Sequence, residues 1–104
     1  MSDPLLDLLL RRFHQDPPSP GKDCSEIAED FAAIVPGRVL RATPVNAERM
    51  VLPEYEVKTD ARYHAVYVNG GKVFDPRYSA SPVPEARYGK MVAEMNPGIG
   101  IDWQ

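Results

Sequence analysis

The run Arg62-Tyr63-His64-Ala65-Val66-Tyr67-Val68, followed by Asn69-Gly70-Gly71-Lys72 and then Val73-Phe74, constrains the fold of this chain more than any other segment. β-Branched and aromatic residues on either side of an Asn-Gly-Gly turn predict two adjacent antiparallel strands. The register then decides which side chains meet. With Asn69-Gly70 as the two-residue turn, Val68 pairs with Gly71 and His64 stands opposite Asp75. With Gly70-Gly71 as the turn, Asp75 stands opposite Val66 and becomes a diagonal neighbour on the face of His64. A three-residue loop sets Asp75 opposite Ala65 and turns it away from the histidine, because side chains alternate between the faces of a strand. Directly opposed residues lie about 4.5–5.5 Å apart at Cβ, a distance at which a carboxylate can hold an imidazole in one tautomer. The same two residues can also serve as a plain surface ion pair on a hairpin.

The second informative feature is the single cysteine. Residues 21–35 run from Gly21 to Val35 and end at Pro36-Gly37, so helix breakers bracket one apolar-periodic stretch. Asp23 is suited to the N-cap, and Glu26, three positions on, is spaced to complete a capping box. Cys24 is then the first helical residue. Exposed N–H groups and the positive end of the helix dipole favour a thiolate there, whereas the neighbouring Asp23 carboxylate opposes it. Ile27, Phe31, Ile34 and Val35 share a stripe that includes Cys24. The periodicity therefore points the thiol inward, and free cysteine often packs as a small hydrophobe.

A thiolate, an imidazole and an acceptor for the second imidazole nitrogen are the requirements of acyl transfer through a thioester. Cys24 is the candidate nucleophile, His64 the candidate general base and acid, and Asp75 the candidate orienting residue. At a helix start the backbone N–H of Cys24 can also point at a developing oxyanion. Gln15, upstream, is a candidate for a second donor, and the alternative is a glutamine simply solvated in a polar loop. His14 lacks the strand and carboxylate context of His64 and suits a surface or structural role. Arg77 and Tyr78 follow Asp75-Pro76 and are candidates for substrate contact or for surface packing. One cysteine allows no intrachain disulfide. One cysteine with two histidines and no paired ligand spacing gives no zinc pattern, so neither a metal nor another cofactor is expected.

The remaining segments fit an α+β domain, with N-terminal helices packed on a small antiparallel sheet and a C-terminal helix. Ser2 or Asp3 before Pro4 starts a first helix, with Leu5, Leu9 and Phe13 on one stripe. Its leucine-rich run is too short to span a bilayer and lacks both a basic segment before it and a small-residue cleavage site after it, so no signal peptide is expected. Asp16 to Gly21 reads as a stiff proline-rich connection. Residues 37–43 read as a strand. Val51-Leu52 and residues 55–59 are weaker strand candidates interrupted by Pro53, as suits a sheet edge. Pro84 opens a last helix, on which Tyr88, Met91, Val92 and Met95 recur at core spacing before Asn96-Pro97-Gly98 ends it. With 104 residues and 43% hydrophobic content, the chain can bury one modest core, giving a single domain over 1–104. A net charge of −3 and scattered arginines argue against a nucleic-acid partner.

In its order of parts, residues 21–98 resemble the papain-like fold, and more narrowly the small papain-fold toxin domains of bacterial polymorphic toxins. The parts are Asp-Cys-Ser-Glu-Ile-Ala-Glu-Asp-Phe at a helix start, Tyr-His-Ala-Val-Tyr-Val in a strand, Val-Phe-Asp-Pro-Arg, and a tail running from Ser-Pro-Val-Pro to Asn-Pro-Gly. The resemblance implies a cysteine hydrolase (protease or amidase) acting through Cys24, His64 and Asp75 on an amide of a target-cell protein. It further implies carriage as the C-terminal part of a larger delivery protein, action in the target-cell cytoplasm and a cognate immunity protein as partner. No counterpart of the glutamine that closely precedes the cysteine in large papain-like proteases is present.

Glutamine deamidation uses the same thioester route. Asp23-Cys24-Ser25 is also similar to the start of NlpC/P60-type cell-wall peptidases, although Glu26 replaces the glycine that usually follows there, and an aspartate before a proline is the third polar residue. The non-enzymatic alternatives are a binding module, or an immunity or adaptor protein, with a buried structural Cys24.

Overall fold

A computed structural model describes residues 3–16, 24–54 and 57–104, with backbone alone at 54 and 57–60. The expected N-cap Asp23, the proline-rich stretch from Pro17 to Gly21 and the strand start at Tyr55-Glu56 lie outside the described residues. The architecture is α+β, in the order α1 (Pro4–Gln15), α2 (Cys24–Ile34), β1 (Arg38–Pro44), β2 (Met50–Glu54), β3 (Val57–Ala61), β4 (His64–Asn69), β5 (Lys72–Phe74), β6 (Val83–Pro84), α3 (Glu85–Met95) and β7 (Ile101–Trp103). Five strands form an antiparallel sheet in the order β6-β5-β4-β1-β7, curled into half a barrel, and β2 pairs with β3 in a separate ribbon. Within that ribbon Pro53 lies opposite Lys58, in keeping with a proline in a strand that has a free edge.

The hairpin takes the second of the three registers. Asn69 pairs with Lys72, Val68 with Val73 and Tyr67 with Phe74. Gly70 and Gly71 form the turn with φ of 61° and 74°, the left-handed conformation that a two-residue hairpin of this twist requires and that glycine adopts without a Cβ penalty. Continuing the register brings Asp75 opposite Val66, one step along the face from His64.

The two faces of the sheet bury different cores. Leu6 and Leu10 of α1 join Ile27, Ala28 and Phe31 of α2 against Tyr67 and Phe74. The Phe31 ring stacks on Tyr67 with centroids 5.6 Å apart, an arrangement that adds to the burial of both rings. On the other side Val66, Val68 and Val73 pack with Tyr88 and Val92 of α3 and with Met50 and Leu52 of β2. Asn96 ends α3 and joins it to the ribbon. Its side chain accepts from Val51 N at 2.6 Å and donates to Val51 O at 2.9 Å and Val92 O at 2.8 Å.

Two periodicity readings are corrected. The buried leucines of α1 are Leu6 and Leu10, with Leu9 and Phe13 half-buried, while Leu5 is 59% exposed. Leucines nearly all round this helix leave the choice of face to the partner, and Phe31 of α2 selects it, with the Phe13 ring edge-on to the Phe31 ring at 6.0 Å. In α2, Ile34 is exposed and Ala28 is buried in its place. The turn after α2 is fixed by Tyr67, whose hydroxyl donates to Val35 O at 2.5 Å. Gly37 lies against that ring, where an added Cβ would come within 2.7 Å of it.

Candidate active site

Cys24 opens α2 and His64 opens β4. α2 lies along β4, and the backbone N–H of Ala65 donates to Cys24 Sγ at 3.3 Å. That contact pins the thiol beside the first residue of the strand. His64 pairs across the sheet with Ala42, a fully buried small residue that leaves the imidazole room. His64 is itself only 1% exposed. Its Nε2 lies 3.0 Å from Asp75 Oδ2, and Cys24 is within hydrogen-bonding reach of the same ring. With Nε2 engaged by Asp75, Nδ1 is the nitrogen left for the sulfur.

Asp75 is held by the turn that follows β5. The backbone N–H of Arg77 donates to its Oδ1 at 3.1 Å, and its carbonyl accepts from Tyr78 N and Ser79 N at 3.1 and 3.0 Å. This is a tight Asx-type turn with Pro76 in a position that favours it. His14 reaches across from α1 and donates through Nδ1 to the Pro76 carbonyl at 2.7 Å, so it braces the Asp75 turn rather than joining the reacting groups.

The charges in this cluster sustain one another. Burial alone would lower the His64 pKa, but the Asp75 charge and hydrogen bond, with a smaller contribution from Cys24, raise it to about 9. Burial pushes the Cys24 thiol up. The hydrogen bond with His64, the Ala65 N–H, the His64 charge and the Arg77 charge outweigh it and leave the pKa below the ordinary value. Asp75 behaves likewise. Its burial is overcome by the charge and hydrogen bond of His64, the Tyr88 hydroxyl and the Arg77 N–H, and its pKa is lowered. All three shifts thus run toward the charged forms, thiolate, imidazolium and carboxylate, each group supporting the charge of its neighbour.

All three candidate residues are thus brought together. Arg77 lines the same small cleft as Cys24, together with Ile27, Ala65, Pro76 and others, and the cleft encloses only about 10 Å³. Tyr78 lies outside that lining. Gln15 is exposed at the end of α1 and lines a separate surface groove with Leu8, Arg11, Arg12 and Asp16, so the structure does not bring it to the thiol as an oxyanion donor. Among the described residues no group of three or more histidine, cysteine or acidic side chains is arranged to hold a metal ion. Compared with protein families, with characterised proteins and with solved structures, the chain gives no match.

One member of the cluster is hidden in the sequence pattern. Tyr88 falls in the apolar stripe of α3 and is 1% exposed, yet its hydroxyl donates to Asp75 Oδ2 at 2.5 Å and lies 3.1 Å from His64 Nε2. The available signal was chemical rather than periodic, since a buried tyrosine needs a partner for its hydroxyl. Its ring also walls an apolar cavity of about 210 Å³ with Leu40, Val66, Val73, Glu85, Gly89 and Trp103, which neither Cys24 nor His64 lines.

Proposed function

We propose that the chain is a papain-like cysteine hydrolase that cleaves an amide bond of a target-cell protein through a covalent thioester. The observation that carries this reading is the buried His64 between Asp75 Oδ2 and the thiol at the start of α2. A merely structural cysteine has no need of a charged imidazole beside it. In the first half-reaction the Cys24 thiolate attacks the amide carbon, and the developing oxyanion is assisted by N–H groups at the start of α2. The C–N bond breaks as His64 passes its Nδ1 proton to the leaving nitrogen. In the second half-reaction the neutral imidazole takes a proton from water, hydroxide attacks the thioester, and the C–S bond breaks to restore the thiolate. Asp75 retains its negative charge throughout and keeps the ring oriented.

The resemblance of residues 21–98 to papain-fold toxin domains supports the wider setting of this proposal. The chain then acts as the effector part of a delivery protein, inside a target bacterium, and is neutralised by an immunity protein.

The test is to express the chain and its Cys24→Ala, His64→Ala and Asp75→Ala variants inside bacteria and to survey the proteome by mass spectrometry. Wild type is expected to generate new protein termini and to arrest growth, and Cys24→Ala to do neither. Mass gains of about one unit at glutamine, without new termini, would assign the same thioester chemistry to deamidation, in which OH replaces NH₂. Toxicity unchanged by Cys24→Ala would overturn the covalent mechanism.

A further inference from the structure

We infer that Tyr88 is a positioning residue that fixes the tautomer of His64 and thereby makes α3 part of the catalytic apparatus. The inference rests on the hydrolase reading for its importance, but its geometry concerns the resting protein alone. Three groups converge at one point. His64 Nε2 lies 3.0 Å from Asp75 Oδ2 and 3.1 Å from the Tyr88 hydroxyl oxygen, and that hydroxyl lies 2.5 Å from the same Oδ2.

The arrangement has only one consistent assignment of protons. An ionised carboxylate can only accept, so the tyrosine O–H must point at Asp75. The lone pairs of the tyrosine oxygen then face Nε2. With acceptors at both contacts, Nε2 must carry a hydrogen whether the ring is neutral or charged. The exchangeable proton is consequently confined to Nδ1, the nitrogen available to Cys24. Loss of the hydroxyl removes one of the two acceptors and frees Oδ2 to turn.

The surroundings fit a precisely held group rather than a tyrosine merely filling space. Tyr88 is 1% exposed and lies edge-on to Trp103 and Tyr78, with centroids 6.1 and 5.8 Å away. Those contacts come from β7 and from the turn after Asp75. The ring is therefore held from two directions, and its hydroxyl is directed at the dyad. Burial and the Asp75 charge also keep that hydroxyl protonated, which preserves it as a donor.

Tyr88→Phe tests this, because it keeps the ring between Tyr78 and Trp103 and removes only the oxygen. Imidazole ¹⁵N and ¹H spectra of resting wild type are expected to show His64 as the Nε2–H tautomer when neutral, with its Nε2 proton exchanging slowly. In Tyr88→Phe the proton is expected to exchange about tenfold faster and the two tautomers to mix, the effect of losing one hydrogen bond to a charged group. The acid limb of Cys24 alkylation is expected to move up by about one pH unit, because an imidazolium that has lost one of its two acceptors is held less firmly and stabilises the thiolate less. A urea unfolding curve confirms that the variant is folded, and Tyr88→Leu provides a second variant that lacks the hydroxyl. Folded variants with unchanged tautomer, exchange and alkylation profile would overturn the inference. The hydrolase reading fails separately, through retained toxicity of Cys24→Ala, and that result would leave the tautomer measurements standing.

Discussion

His64 is 1% exposed and yet holds its second proton up to about pH 9, which makes the folded state a stronger proton binder than the unfolded chain. An unfolded histidine titrates near 6.5, so between 6.5 and about 9 the folded state binds more protons and stability must fall as pH rises. Cys24 works in the opposite direction, because its lowered pKa favours the folded state as the thiol ionises. Cys24→Ala isolates the histidine. Urea midpoints of that variant are expected to decline as pH rises above 6.5 toward the folded value, with the loss complete once the ring is neutral. Adding Asp75→Asn should flatten this decline, because the Asp75 charge is the main influence raising the histidine against its burial. At the acid end Asp75 contributes stability above its ordinary value near 3.8, which is lost as pH falls through its lowered folded pKa. A flat alkaline limb in Cys24→Ala would show that His64 is not held protonated by the fold.

At the scale of elements, the hairpin turn sets the site. Gly70 and Gly71 both have positive φ, and a Cβ at either position meets nothing within 4 Å. The cost of Gly71→Ala is therefore almost wholly backbone strain, about 1–2 kcal/mol, expected as a lower urea midpoint with an unchanged m-value. The Gly71 carbonyl also accepts from Glu85 N at 3.0 Å, so the turn supports the start of α3. A substitution remote from the thiol thus bears on both Asp75 and Tyr88. Gly37→Ala is a contrasting case, with steric cost rather than φ strain. Its Cβ would approach the Tyr67 ring within 2.7 Å, and a loss of about 1–3 kcal/mol is expected by the same measurement. The sequence pattern located this hairpin, both of its neighbouring helices and the ends of α3, because turn and breaker residues act locally. The register remained open because three turn choices satisfy the same residues, and the two-residue Gly70-Gly71 turn keeps the His64–Asp75 pair as diagonal neighbours. The short strands β6 and β7 carry too few residues for alternation to reveal them, and only pairing with β5 and β1 defines them.

Over the whole molecule, the curled sheet separates two cores, and the site lies where elements from both converge. Cys24 comes from the helix layer of Phe31 and Leu10, while Tyr88 comes from the layer of Val66 and Val92. Leu10 is fully buried between α1 and α2, and Leu10→Ala is expected to cost about 2–5 kcal/mol in urea unfolding. Because α1 also carries His14 to the Pro76 carbonyl, loosening it should increase hydrogen exchange in the turn after β5 before the chain unfolds globally. No described helix is long and apolar enough to cross a membrane. The sequence by itself determined the α+β class, the helix that starts at Cys24 and the placing of His64 and Asp75 on one hairpin, since all of these follow from capping, breakers and alternation over a few residues. Tertiary structure alone decided which face of α1 is buried, that Gln15 stands apart from the thiol, and that Tyr88 meets His64 and Asp75. Those outcomes depend on how separate elements dock, and no spacing within a single element records that.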